Sequence, residues 1–298
     1  MAANYAKLVS AELSDLLRWS QRVIDLADGD PSKGNFILGS PLAVAFATRA
    51  IARYCLGRPG WQDDLRQGLA MARSADPASY ATVVAYVYGG AIPPGVLSPE
   101  DSAMREIEDA VQIAARAGDD LALTLARMTL GLALVHRHTS AEHDRGQKLL
   151  AAVSNVFMRG GYALAQLPAV NVYLAREKAR CGDRDEAIPL MRATVDDLFR
   201  EGKLLWAAVA ATGVLVETLL DRGADADVAE AEAAIERLAA APADEGLVLR
   251  DIWLLRLRAL LVRAHSDAAA YMELRDRYRD MAKTLGFDGH IEWAEAMP

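Results

Sequence analysis

The 298-residue sequence has little of several residue types on which particular protein classes depend. Its two cysteines, Cys55 and Cys181, lie far apart and match neither a disulfide framework nor a cysteine-based metal motif, which favours a reducing cytoplasm. Prolines number only 11 and aromatic residues make up 6% of the chain, whereas alanine and leucine are abundant. This composition favours helices over strands.

Long apolar runs and an excess of basic residues are also absent. The longest uncharged helical stretch, Leu204–Val216, is well short of the roughly 20 residues that a bilayer-spanning helix needs. The N-terminal segment MAANYAKLVSAEL lacks the basic region and the apolar run of a signal peptide. A formal net charge of −8 disfavours a nucleic-acid-binding protein, which usually has a basic face. We therefore expect a soluble, cytoplasmic protein that binds neither membranes nor nucleic acids.

No pattern of catalytic or cofactor-binding residues is recognisable. Ser32-Lys33-Gly34 lacks the glycine spacing of a phosphate-binding loop, and no Gly-x-Gly-x-x-Gly follows a predicted strand. Adjacent acids such as Asp196-Asp197 would point in different directions on a helix. The sequence therefore predicts no catalytic residue and no cofactor.

Three histidines, His136, His138 and His143, occur within the segment HRHTSAEH and could in principle bind zinc. They flank a predicted turn, and no cysteine or further carboxylate completes an evident ligand set. Cationic side chains at the end of a helix complement its dipole, which explains His136 and His138 without a metal. We favour this second interpretation and predict no metal site.

Turn and helix-start signals recur along the chain at intervals of about 41 to 42 residues, which indicates an internal repeat. The segment Ser98-Pro99-Glu100-Asp101, for example, is typical of a helix N-terminus. The signals lie at Gly57–Gly60, Ser98, Ser140, Gly182, Gly223 and His265–Asp267.

Each period contains two predicted helices of different character. The second helix of a pair is amphipathic: in Asp185–Arg200, apolar residues recur at helical spacing and charged residues cover the other side. The first helix is nearly uncharged, as in Leu121–Val135, and such a helix has to be covered on most sides. The pattern predicts an all-α protein, a right-handed α-solenoid of about six helix-turn-helix units that resemble tetratricopeptide repeats.

We expect one domain over residues 1–298. Its predicted parts are an opening helix at 11–28, repeats at approximately 40–75, 80–118, 120–160, 163–201, 203–240 and 244–286, and a C-terminal tail at 287–298. The apolar, proline-containing loop Gly89–Pro99 interrupts the second repeat. It either folds onto the end of the groove or forms part of a contact surface, and we favour the first.

Solenoids bind partners on the concave face, which the first helices line. Polar residues within these apolar helices are the candidates for a partner or ligand groove: Arg49, Arg53, Arg127, Asn171, Tyr173, Glu177 and Arg250. The competing interpretation is structural, because a buried arginine is normally paired. Arg53 or Arg127 would then join an acid of an adjacent repeat and hold the stack together. For any single residue we favour the structural interpretation.

Several segments of the sequence, taken together, resemble a known family. They are LSDLLRWSQRVIDLADGDPSKGN, GSPLAVAFATRAIARYCLGRPGW, GDDLALTLARMTLGLALVHR, GDRDEAIPLMRATVDDLF, GADADVAEAEAAIERLAAAP and LGFDGHIEWAEAMP. Over almost its whole length the chain is similar to the C-terminal tetratricopeptide-like region of large actinobacterial, mycobacterial-type signalling proteins. Those proteins carry a class III adenylate or guanylate cyclase domain and a STAND-type AAA ATPase before this region.

Two departures limit what the resemblance implies. The metal-binding aspartates of the cyclase and the Walker motifs of the ATPase belong to regions that this sequence does not contain. The period also exceeds the roughly 34 residues of standard tetratricopeptide repeats. The resemblance therefore assigns no catalytic residue to this chain.

The resemblance implies a regulatory module, in which a protein partner or small effector bound in the groove biases an attached ATPase and cyclase. The alternative, from a different class, is a scaffold that self-associates into a homo-oligomer and brings two parent chains together. A stand-alone enzyme or a metal-binding protein is the least favoured interpretation, because no chemistry for it is recognisable. No motif identifies the partner or the effector.

Overall fold

The computed structural model describes residues 7–8, 10, 12–34, 39–161, 164–202, 207–244 and 246–298. These residues contain 14 α-helices and no strand, so the prediction of an all-α protein is confirmed. The helices are α1 (Leu13–Ala27), α2 (Pro41–Cys55), α3 (Trp61–Ala75), α4 (Pro77–Val84), α5 (Asp101–Ala117), α6 (Asp120–Leu134), α7 (Ser140–Gly160), α8 (Leu167–Arg180), α9 (Arg184–Arg200), α10 (Val209–Arg222), α11 (Asp225–Ala240), α12 (Val248–Ala264), α13 (Ala268–Leu285) and α14 (Asp288–Glu295). A π-helical turn, Ala85–Gly89, extends α4, and a 3₁₀ turn, Leu164–Gln166, precedes α8.

Some predicted boundaries lie outside the described residues. They are Ala11 at the start of the predicted opening helix, Ala163 at the start of one predicted repeat, and Lys203–Trp206 at the start of the next. Within the described ranges, none of the helices combines the length and the apolar character that a membrane span needs.

Side-chain caps explain where several helices begin. The Ser40 hydroxyl accepts a hydrogen bond from the Ala43 backbone N–H at 3.3 Å, and Pro41 occupies the first turn of α2. Asp76 caps α4 in the same way by accepting from the Ser79 N–H at 2.9 Å. The helix therefore begins at Pro77, earlier than the predicted start of the second repeat at residue 80.

The even-numbered helices from α2 to α12, hereafter the inner helices, form the centre of the molecule. Nearly all residues of α2, α6 and α10 are buried or half-buried, as their almost uncharged sequences require. Each inner helix contacts the next one, and α12 also contacts α2. The two ends of the helical array therefore meet. The solenoid form remains a prediction. That prediction did not include contact between the first and the last inner helix.

Aromatic packing and a hydrogen bond strengthen the contact between the two ends. The Phe287 ring, just before α14, lies 6.4 Å from the Tyr54 ring of α2 and 6.1 Å from the Trp61 ring of α3, both edge-on. The Ser14 backbone N–H in α1 donates to the Asp244 carboxylate, just before α12, at 2.8 Å. Residues more than 200 positions apart in sequence thus share one core.

Ion pairs connect successive odd-numbered helices on the outside. Arg145 of α7 donates to Glu108 of α5 at 3.0 Å, and the Arg192 guanidinium of α9 donates to both carboxylate oxygens of Glu230 on α11. These side chains are largely exposed, so each pair contributes at most about 1 kcal/mol. The main effect of these ion pairs is on how neighbouring helix pairs align, and they add little to the stability of the fold.

The apolar segment 90–99, hereafter the central loop, lies inside the molecule between the inner helices. Ala91, Ile92 and Val96 are almost fully buried. A buried loop has backbone carbonyls that need donors, and three inner helices supply them. Tyr54 of α2, Tyr173 of α8 and Trp253 of α12 donate to the carbonyls of Gly90, Pro93 and Pro94 at 3.0 to 3.1 Å. The central loop therefore fills space that an open groove would have left to a partner.

Residues 287–298, which the sequence predicts only as a C-terminal tail, contain helix α14 and pack against the central loop. The backbone N–H of His290 donates to the Gly95 carbonyl at 2.9 Å, and that of Asp288 donates to the Val96 carbonyl at 3.1 Å. Gly95 has φ of +79°, and a Cβ atom there would lie 2.5 Å from the Trp293 ring. Only glycine fits both this backbone conformation and this close approach.

We predict that Gly95→Ala lowers the free energy of unfolding by about 3 kcal/mol, because it combines left-handed backbone strain with overpacking against Trp293. The matched control is Gly118→Ala. Gly118 has a similar φ of +68° but no neighbouring atom within 4 Å of a Cβ, so this variant should lose only about 1 kcal/mol. Urea denaturation of both variants measures the difference. Equal losses would show that the central loop and α14 do not pack as described.

Candidate functional site

A cavity of about 220 Å³ lies beside the central loop, between the inner helices. Pro93 of the central loop forms one wall, and Val214 of α10, Trp253 of α12 and Trp293 of α14 form others. Six residues that can carry charge line the same space. Arg137 and His143 lie at its edge, and the other four lie on, or directly after, four successive inner helices: His136 after α6, Arg176 on α8, Glu217 on α10 and Arg256 on α12. The cavity is hereafter called the central cavity.

Arg256 and Glu217 form a bridge between α12 and α10. The Arg256 Nε donates to Glu217 Oε1 at 2.8 Å, and the guanidinium lies 5.0 Å from the centre of the Trp293 ring. The Arg256 side chain is only 14% exposed, and its Nη1 is buried without a hydrogen-bond partner. The pair is thus a largely desolvated element of the cavity wall, in which charge interactions are stronger than in water.

Arg176 and His136 both pack against the Tyr173 ring. The Arg176 guanidinium is 4.8 Å from the centre of the Tyr173 ring, and the His136 ring is at the same distance. The Tyr173 hydroxyl donates to the Pro93 carbonyl, and this hydrogen bond fixes the orientation of the ring that both side chains contact. Arg176 also donates from Nη2 to the carbonyl of Val135.

The environment of His136 defines its protonation state. Its Nδ1 lies 2.7 Å from the Leu132 carbonyl, which can only accept, so Nδ1 carries a proton. Burial, followed by the positive charge of Arg176, lowers the pKa of His136 well below its usual range. At neutral pH the imidazole is therefore uncharged, and Nε2 has a lone pair that can accept a hydrogen bond.

Glu177 connects α8 to the turn between α6 and α7. Its carboxylate is fully buried and its Oε2 accepts from Arg180 Nε at 2.8 Å and from His143 Nδ1 at 2.8 Å. His143 Nε2 lies 3.0 Å from the Arg137 carbonyl. Both partners of His143 are acceptors, so making both bonds requires a proton on each ring nitrogen. Glu177 therefore holds a positively charged cluster at the edge of the central cavity.

The three histidines considered for zinc have separate partners. His136 packs against Tyr173, His143 is bound by Glu177, and His138 is 73% exposed with its Nε2 3.2 Å from Glu292 of α14. In the ranges that the structure covers, no three histidine, cysteine or acidic side chains are grouped in a way that could hold a metal ion.

Two of the predicted groove residues, Arg49 and Arg53, have a structural role. Both lie on α2 and donate to the buried carboxylate of Asp64 on α3, at 2.6 to 2.9 Å. This agrees with the structural interpretation, although the acid belongs to the adjoining helix of the same hairpin and not to a neighbouring repeat. An open surface groove that also contains Arg18 and Arg58 runs beside them.

Three other predicted residues lie away from the central cavity. Arg127 of α6 is exposed and borders a surface groove, and Asn171 of α8 is exposed beside Ser154. Arg250 of α12 donates to the Ala241 carbonyl at 2.9 Å. The remaining two, Tyr173 and Glu177, lie in the wall of the central cavity and directly behind it.

Sequence reasoning did not select Arg176, Glu217, Arg256 or the two tryptophans of the cavity. A signal for the charged residues was present, because Glu217 and Arg256 are 39 positions apart and Arg176 precedes Glu217 by about one period. They thus occupy equivalent positions on successive inner helices. His136 also fits this spacing, but the sequence suggested it only as a metal ligand or as a cation at a helix end. Comparing equivalent positions between repeats would have grouped the four.

Comparison with known proteins assigns neither a family nor a function to this chain. The chain matches no known family model and no curated protein sequence.

We predict that Glu177→Gln lowers the free energy of unfolding by about 3 kcal/mol, because it leaves Arg180 and protonated His143 without their buried counter-ion. The matched control is Glu186→Gln on α9. Glu186 is 74% exposed and bound only to Lys178, so its loss should be below about 1 kcal/mol. Denaturation at neutral pH distinguishes the two. A small effect of Glu177→Gln would mean that the cluster does not depend on this carboxylate.

We also predict that acidification from about pH 6.5 to 5 destabilises the protein through its buried histidines. His290 of α14 is fully buried, and burial followed by the charge of Arg256 lowers its pKa well below 6.5. The unfolded chain then binds the proton more readily than the folded one. Stability is complete above the unfolded pKa and declines as pH falls towards the folded pKa, by up to about 1.4 kcal/mol per pH unit for each such histidine.

The test compares urea denaturation across this pH range in the wild type, in His290→Gln, and in a control, His265→Gln, at an exposed position. His290→Gln should show a shallower pH dependence, and the control should match the wild type. The hydrogen bond from Arg137 lowers the pKa of Glu142 to about 2, so the titration of this carboxylate falls at lower pH. An identical dependence of the unfolding free energy on pH in all three proteins would contradict the lowered pKa of His290.

Proposed function

We propose that this chain is a non-catalytic binding module that holds a small effector in the central cavity. The observation that carries the proposal is the convergence of His136, Arg176, Glu217 and Arg256 on one partly open cavity beside aromatic walls. Ligand sites typically combine apolar walls with a few polar groups that orient the ligand. At about 220 Å³ the cavity is smaller than the sites of drug-sized molecules, which favours a compact metabolite.

A small effector is favoured over a protein partner at the centre, because the central loop occupies the space between the inner helices. Its apolar residues Ile92 and Val96 are buried, and α14 covers the loop. An extended peptide would have to displace this packing. We further propose that the helices are six tetratricopeptide-like hairpins in a right-handed array, with its ends in contact around the central loop.

The proposed role is regulatory. By resemblance, the chain would be the C-terminal part of a cytoplasmic cyclase and STAND ATPase protein and would report effector binding to those domains. The groups that would hold the effector are on four different inner helices. A ligand that bridges them favours one relative position of these helices over others, and such a difference in affinity is what shifts a conformational equilibrium.

The five tryptophans allow a direct test by NMR of ¹⁵N-labelled protein with mixtures of small metabolites. Trp253 and Trp293 line the central cavity, whereas Trp19 on α1 is 40% exposed and is not among the residues that line it. We expect at least one mixture to shift the indole signals of Trp253 or Trp293 saturably while Trp19 stays unchanged. Shifts of Trp19 alone, or no shifts in any mixture, would exclude an effector site in the cavity.

A second candidate function is self-association. Met158 at the end of α7 and Leu190 on α9 are 66% and 54% exposed and are among the most exposed large apolar side chains of the described residues. Light scattering tests this, since the monomer has a mass of 32.2 kDa. A dimer that Leu190→Lys and Met158→Lys dissociate would support this candidate, whereas a monomer at micromolar concentrations would rule out strong self-association.

A further inference from the structure

The cationic side chains of the central cavity differ in whether a carboxylate lies within hydrogen-bond distance. Arg137 donates to Glu142 and Asp101 and to the carbonyl of Pro99. The other two cations at the edge, His143 and Arg256, each have a carboxylate within hydrogen-bond distance, Glu177 for the first and Glu217 for the second.

Arg176 is different, because its guanidinium donates to a neutral carbonyl, that of Val135, and to no carboxylate. The nearest acidic oxygen is Glu177 Oε1 at 3.6 Å, and that carboxylate already accepts from His143 and Arg180. The Arg176 side chain is only 27% exposed. Arg176 therefore shares the Glu177 carboxylate with His143 and Arg180 and has no anion within hydrogen-bond distance, and an anionic ligand in the cavity would supply a closer counter-ion.

The position of Arg176 indicates which kind of anion fits. Its planar guanidinium lies 4.8 Å from the centre of the Tyr173 ring, and the Tyr173 hydroxyl is fixed by Pro93. A guanidinium held in this way offers donors in one plane, which matches the two oxygens of a carboxylate.

The second group that a ligand would meet is His136. His136 and Arg176 both line the central cavity, so one small molecule in it can contact both. His136 Nδ1 donates to the Leu132 carbonyl, which leaves Nε2 as an acceptor. A ligand that binds Arg176 must therefore present a hydrogen-bond donor to His136, and a hydroxyl group close to the carboxylate satisfies this geometry.

We propose that the central cavity binds a small hydroxy-carboxylate, with its carboxylate on Arg176 and its hydroxyl donating to Nε2 of His136. This inference rests on the proposed function and specifies its ligand class. The apolar walls formed by Val214 and Trp253 enclose the carbon chain, and the cavity of about 220 Å³ limits its length to a few carbons. The Arg256–Glu217 bridge lies on the wall between α12 and α10 and stays intact.

The test uses the whole chain and four pairs of probes that differ by one hydroxyl: glycolate and acetate, lactate and propionate, malate and succinate, and 3-hydroxybutyrate and butyrate. Affinity is measured by titration of the Trp253 and Trp293 indole signals and by calorimetry. We expect at least one hydroxy acid to bind about tenfold more tightly than its partner, which corresponds to one net hydrogen bond. Equal affinity within every pair, or no binding of any hydroxy acid, would overturn the proposal.

Variants separate the two contacts. Arg176→Gln should weaken the preferred hydroxy acid about ten- to a hundredfold, as expected for a charge-assisted hydrogen bond, while Arg145→Gln on exposed α7 surface should change nothing. His136→Asn should reduce the preference for the hydroxy acid over its partner towards one and leave the partner's affinity within about threefold. A preference that survives His136→Asn, or unchanged binding to a folded Arg176→Gln protein, would contradict the assignment.

The failure of this inference can be distinguished from the failure of the proposed function. Inorganic phosphate, alanine and 1,2-propanediol are added as further probes of different chemistry. If one of them shifts Trp253 or Trp293 saturably and no hydroxy acid does, the effector site stands and the ligand class is wrong. If neither these probes nor the metabolite mixtures shift either signal, the proposed function itself is wrong.

Discussion

The structure depends on a simple requirement, that backbone carbonyls placed inside a protein must find donors. The central loop crosses the middle of the molecule with its carbonyls directed at the surrounding helices. Donors come from the side chains of Tyr54, Tyr173 and Trp253 and from the backbone N–H groups that begin α14. Tyr54, Tyr173 and Trp253 each have a large, mainly apolar side chain whose one donor atom meets a carbonyl of the central loop. They fill the centre and satisfy the loop at the same time.

The inner helices combine an apolar interior with a polar cavity. Most buried side chains of α2 and α10 are alanine, valine or leucine. Charged side chains of α8, α10 and α12 lie beside the cavity, where Arg256 meets Glu217 and Arg176 meets Tyr173. Arg256 is only 14% exposed and lies beside the Trp293 ring, so solvent screens its charge less than that of a surface arginine.

The sequence was sufficient for the features that local rules govern. The helix starts at Pro41 and Ser140 follow from the capping residues Ser40 and Thr139, and the uncharged stretch 209–216 of α10 predicted its burial. The contact of α12 with α2 was not predictable in this way, since neighbour-to-neighbour periodicity contains no information on whether the ends meet. The hydrogen-bond donors to the central loop were likewise not predictable from the sequence. They lie on three inner helices far apart in sequence, and no local pattern marks a tyrosine as the donor to a distant proline carbonyl.

Contact between the ends also constrains how such a protein can change in size. An open array of hairpins lengthens by adding a unit at either end or in the middle, because each unit needs only its neighbours. Here an added hairpin would widen the circle of inner helices and draw the hydroxyl of Tyr173 and the indole of Trp253 away from the carbonyls that they bind. The number of hairpins is therefore set by the width of the segment at the centre, and insertions are tolerated only in the turns on the outer surface.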